Sequence, residues 1–176
     1  MAACGVTFPP ARSCSSSAIA GLALSEGHPA EAASLVAQIA ECERTMDPHP
    51  DWILESTWLK ARTLLANGAE AQAAELFSRL VREAGAVTFL WPIIDSLNAL
   101  ARLATDADPQ RAARLTGTAD RIQAESRLAT WDPVEREHTV SALRDRLGER
   151  TFERMRAAGH ALPISAMAAA VEQGTY

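Results

Sequence analysis

Histidine and cysteine are the side chains in this sequence best equipped for chemistry, and their spacing gives them little to do. His28 and His49 fall in breaks between apolar segments. His138 lies beside Glu135 and Glu137, as on a solvated helix face, and His160 stands alone. Cys4, Cys14 and Cys42 are widely spaced, no pair has the spacing of a metal-ligand motif, and their odd number implies no disulfide framework. Gly-x-Ser-x-Gly, which would seat a serine nucleophile, is absent, as is the phosphate-cradling G-x-x-x-x-G-K-[ST]. The acidic residues are dispersed, with no pair set as acid and base. The expectation is a chain without catalytic residues, metal or cofactor.

Composition narrows the class. The 176 residues are 48% apolar and only 5% aromatic, and alanine leads the apolar set. Alanine and leucine without many β-branched or aromatic residues favour helix over strand. A net charge of −5 argues against direct nucleic acid binding through phosphates. The ten arginines of residues 109–156 are offset by eight acidic side chains and form no basic patch. No apolar run reaches the length of a membrane span, so no membrane partner is expected. Unpaired cysteines fit a reducing, cytoplasmic compartment.

Breakers divide the chain into helices expected at about 15–26, 29–46, 52–66, 70–84, 90–105, 110–127 and 134–147, with two more after Gly148. Pro29 suits a first helical turn, Pro92 is tolerable only there, and Asp108 is placed as an N-cap. Leu54, Trp58, Ala61 and Leu65, and then Leu90, Ile93, Leu97, Leu100 and Ala104, recur at three- and four-residue steps. Period-two alternation is absent, so no strand is expected. "EGHPAEAASLV", "ANGAEAQAAELF" and "DADPQRAARLT" repeat one phrase: a turn, then a helix opening with paired alanines. The pairs Ala32-Ala33, Ala73-Ala74 and Ala112-Ala113 are 41 and 39 residues apart. A period near forty built from helix pairs marks an array of hairpins, in which small residues let two helices approach closely.

The middle repeat resembles the tetratricopeptide family. The family's small residue of the first helix falls on Ala61, the turn on Gly68, and the small-then-aromatic pair on Ala73 and Phe77. Thr57 occupies the usual place of the early aromatic, with Trp58 beside it, and Gly85 replaces the closing proline. The resemblance implies an all-α superhelix of about three hairpins whose first helices line a concave groove. It places Glu55, Trp58 and Arg62 of the third helix in that groove, and Asp95, Asn98 and Arg102 of the fifth. Such a set would suit a protein segment or a small anionic effector. Trp91 and Trp131, which follow loops, are expected to staple helix starts.

The tail is more specific. "RAARLTGTADRIQAESRLATWDPVEREHTVSALRDRLGERTFERMRAAGHALPISAMAAAV" resembles the end of the helical-repeat region in bacterial LuxR-family and AfsR-like multidomain ATPase regulators. The corresponding elements are residues 112–117, Pro133, Leu147-Gly148, Phe152, Gly159 with Leu162, and 166–170. The resemblance implies a binding module of a signalling or transcriptional regulator. The ATPase loop and the DNA-reading helices of such regulators have no counterpart here, so the chain is expected to be an isolated repeat region. The organisation expected is a poorly ordered lead-in (1–13), hairpin repeats (14–130) and C-terminal helices capping the array (131–176). Gly148 and Gly159 would permit tight reversals, and Phe152, Met155 and Leu162 would fold over the last hairpin. Nothing comparable covers Ile19, Leu22 and Leu24 of the first helix or Leu35, Val36 and Ile39 of the second. A homodimer through this N-terminal hairpin is therefore expected.

Overall fold

The structure is a computed structural model that describes residues 11–83 and 90–173. Those residues form nine helices and no strand: α1 Ala11–Ser25, α2 Pro29–Thr45, α3 Pro50–Ala66, α4 Glu70–Glu83, α5 Trp91–Ala104, α6 Pro109–Ser126, α7 Pro133–Leu147, α8 Glu149–His160 and α9 Ile164–Gln173. Among them no helix is long and apolar enough to cross a membrane. Proline opens the first turn of α2, α3, α5, α6 and α7, where its fixed φ is preorganised and its missing N–H is not needed. Asp108 caps α6 by accepting from Arg111 N at 3.0 Å. The expected lead-in lies outside the described residues up to residue 10, and α1 takes in residues 11–13, starting earlier than the sequence suggested. The helix stop expected at Gly85 also lies outside them.

Consecutive helices joined by three- or four-residue turns pack as antiparallel hairpins: α1 on α2, α3 on α4, α5 on α6. Each hairpin leans on the next, α2 against α3 and α4 against α5, and the odd-numbered helices α1, α3, α5 and α7 also touch in series. The repeat phrase does its work inside the hairpins. Ala32, Ala73 and Ala112, the first alanine of each pair, are fully buried. The core runs continuously through Trp58, Phe77, Ile93, Leu97, Leu115, Ile122, Leu143 and Phe152.

One expectation for the tail needs correction. Gly159 does not reverse the chain; it sits inside α8. A Cβ there would lie 1.9 Å from Arg114 O, and a Cβ at Gly117 would lie 1.9 Å from Arg156 O. The two glycines thus face each other where α8 crosses α6, and the backbones meet with no side chain between them. Thr118 Oγ1 donates to Gly159 O across this crossing at 2.8 Å. Gly148, at φ +71°, does make the turn. The tail runs back along the even-numbered helices, α8 on α6 of the last hairpin and α9 on α4. Phe152 is fully buried, and Met155 and Leu162 pack against the core from its edge.

Candidate binding groove

Of the six groove residues expected from sequence, three meet in the interior. Arg62 on α3 donates from Nε to Asp95 Oδ2 at 2.6 Å and from Nη2 to Asp95 Oδ1 at 2.5 Å. This is a two-pronged pairing that matches the planar guanidinium to a carboxylate. Trp58 Nε1 donates to the same Asp95 Oδ2 at 2.6 Å. Asp95 is fully buried and Trp58 nearly so. Placing charges here is unfavourable unless they are paired and hydrogen-bonded, and both conditions hold. Burial works against the Arg62 charge, but Asp95 and then Glu135 outweigh it and raise the guanidinium pKa above its ordinary value. Arg62 also lies over the Phe77 ring, 5.9 Å from its centre.

The other three behave differently. Asn98 donates to Thr130 Oγ1 at 3.1 Å and so tethers the α6–α7 loop to α5. Glu55 is half-buried and lines none of the cleft described below; burial pushes its carboxyl pKa up. Arg102 is partly exposed. Its Nε lies 3.3 Å from Glu135 Oε1 and its Nη2 lies 3.5 Å from Glu70 Oε1.

Glu135, in the first turn of α7, joins the two arginines. One of its oxygens accepts from Arg62 Nη1 at 2.8 Å and the other faces Arg102. Asp132 caps α7 through Oδ1, which accepts from Glu135 N at 2.8 Å; its Oδ2 has no partner among the described residues. Trp131 does more than staple a helix start. Its ring stands edge-on to Trp58 at 4.8 Å and stacks near Trp91 at 6.1 Å, while Trp58 and Trp91 are themselves edge-on at 4.4 Å. Its far edge would lie 3.3 Å from a Cβ on Gly21 of α1. The loop before α7 is thus pinned across α1, α3 and α5.

Between that loop and the odd-numbered helices lies a cleft of about 680 Å³. It is lined by Leu24 and Ser25 of α1, Arg62, Leu65 and Ala66 of α3, Arg102 of α5, Glu135 of α7, and Trp131 with Asp132. A second cleft of about 510 Å³ shares Arg102, Asp132 and Glu135 and extends past Thr105 and His138 to Ala142. Together they make one groove along the face shared by the odd-numbered helices α1, α3, α5 and α7. Trp131, Asp132 and Glu135 were missed from sequence because nothing in their spacing ties the start of α7 to helices more than thirty residues earlier. The only local sign was an aromatic residue placed directly before an Asp-Pro helix start. No cluster of His, Cys, Asp and Glu able to hold a metal ion occurs among the described residues. No protein-family model, no curated protein and no solved structure matches this chain.

Proposed function

We propose that the chain is a non-catalytic, tetratricopeptide-like binding module of a bacterial signalling or transcriptional regulator, acting in the cytoplasm and taking a segment of another protein, or a small effector, into this groove. The observation that carries the reading is the groove itself. It is formed by the face common to α1, α3, α5 and α7, it mixes apolar wall with charged side chains, and it continues into a second cleft that shares Arg102, Asp132 and Glu135. The resemblance of residues 111–171 to the repeat region of multidomain regulators supplies the biological setting.

The test is selection of peptides from a random display library on the wild-type protein. Selected peptides should lose at least about tenfold in affinity, about 1.4 kcal/mol, on Ser25→Trp, which fills the mouth of the cleft from the exposed end of α1. Failure to select any peptide, or equal binding to the plugged variant, would sink the reading.

A second reading, a structural or oligomerising fragment with no ligand of its own, is favoured by one feature. Ile19 and Leu22 on α1 are 47% and 56% exposed, and large apolar side chains side by side on one helix face invite self-association. Under this reading the protein is a homodimer through the N-terminal hairpin. Sedimentation at micromolar concentration should then show a dimer that Leu22→Glu dissociates. A monomer unaffected by that substitution would remove it.

A further inference from the structure

Resting on the groove reading above, we propose that the groove receives the side chain of an arginine or lysine from an extended peptide, its stem along Leu24, Leu65 and Trp131 and its cationic head at Asp132.

Charge sets the sign of the ligand. Arg62 is neutralised by Asp95, with Nε and Nη2 both committed to it, and its Nη1 is held by Glu135. What remains open to the groove is Arg102, 3.3 Å from Glu135 and 3.5 Å from Glu70, with Asp132 lining the same cleft. With Arg62 cancelled by Asp95 and Arg102 set against Glu135, the Asp132 carboxylate is the one charge left over in the lining among the described residues, so a cation is favoured over an anion. Asp132 lines the cleft with an oxygen to spare, because only Oδ1 is used in capping α7.

The walls set the shape. Trp131 is 37% exposed and stands next to Asp132. An indole beside a carboxylate suits an ammonium or guanidinium group, which is attracted to the ring face as well as to the carboxylate. Leu24, Leu65 and Ala66 supply apolar wall on the opposite helices, which would cover the methylene stem that separates such a head from a peptide backbone. A bare metal ion or small amine would leave that wall unused. Two clefts meeting at Asp132 and Glu135 leave room for the peptide to continue on both sides.

The test is titration of the isotope-labelled full chain with three hexapeptides of glycine and serine that differ at one position, holding arginine, its uncharged isostere citrulline, or glutamate. The readout is the Trp131 indole N–H resonance. The arginine peptide should shift it saturably, with a dissociation constant of order millimolar. The citrulline and glutamate peptides should bind at least tenfold more weakly, and Asp132→Asn should remove the preference. Asparagine is as good an N-cap as aspartate, so that variant retains α7. Equal binding of the arginine and citrulline peptides, or an unchanged preference in Asp132→Asn, would overturn the cationic ligand and leave the groove reading standing. No shift with any of the three would overturn the inference here, while the display selection would still decide the groove reading on its own.

Discussion

Arg62 and Asp95 show how a residue can be placed on the correct helix face and still be read at the wrong depth. Helical spacing put Arg62 and Trp58 of α3 and Asp95 of α5 on faces that converge, and they do converge. Periodicity reports the direction a side chain takes from its helix axis, not how much chain lies beyond it. The pairing of Arg62 with Asp95, and the hydrogen bond that Arg62 donates to Glu135 of α7, depend on long-range packing that no local spacing encodes. The consequence is measurable. Asp95→Ala would leave Arg62 buried without its main partner and Trp58 without an acceptor, and should destabilise by about 3–5 kcal/mol in urea unfolding; a loss under about 1 kcal/mol would mean the pair is solvated. Glu55 carries a different prediction. Its folded pKa is raised by burial, so the fold binds its proton more tightly than the unfolded chain does. Its contribution to stability is therefore present below the unfolded value of about 4.3 and lost as pH rises through the raised folded value. Glu55→Gln should be more stable than wild type at pH 7, and the advantage should shrink as pH falls toward 4. An advantage constant with pH would assign it to something other than the charge.

At the scale of helices the sequence was informative, because the signals that start and stop a helix are local. Prolines at 29, 50, 92, 109 and 133 and glycines at 27, 68 and 148 stand where helices begin or end, the three glycines with positive φ. Gly159 carries the same residue type for a different reason, and nothing adjacent to it says so. Within α8 it removes a side chain so that α6 can approach, a requirement set by Gly117 forty-two residues earlier. Gly159→Ala should therefore force the two helices apart and destabilise by about 1–3 kcal/mol or more, since the atom in the way is backbone. Because Gly117→Ala strains the same crossing, the double variant should lose less than the sum of the two, as urea denaturation would show; full additivity would mean that the two glycines act independently. Phe152, on the same helix and fully buried, should cost about 3–5 kcal/mol when truncated to alanine. A cost below about 1 kcal/mol would mean that α8 is loosely held.

For the molecule as a whole, the tail decides how the hairpins behave together. An array in which each unit touches only its neighbours unfolds in stages. Here α8 lies on α6 and α9 on α4, so one short stretch of chain spans two hairpins. Unfolding of the whole chain should therefore be a single transition, and removal of residues 162–176 should split it or broaden it, as followed by far-ultraviolet circular dichroism. An equally sharp transition after the deletion would show that α9 does not couple the hairpins. The α9–α4 contact also has a bearing on how the protein is made. Hairpins built from sequence neighbours can close while a chain is still being synthesised, since their loops are short and folding proceeds from the N-terminus. The apolar strip of α4 that α9 covers cannot be closed in that way. Its partner lies some eighty residues downstream, so on the ribosome that strip stays open to other nascent chains and to chaperones until α9 itself has emerged.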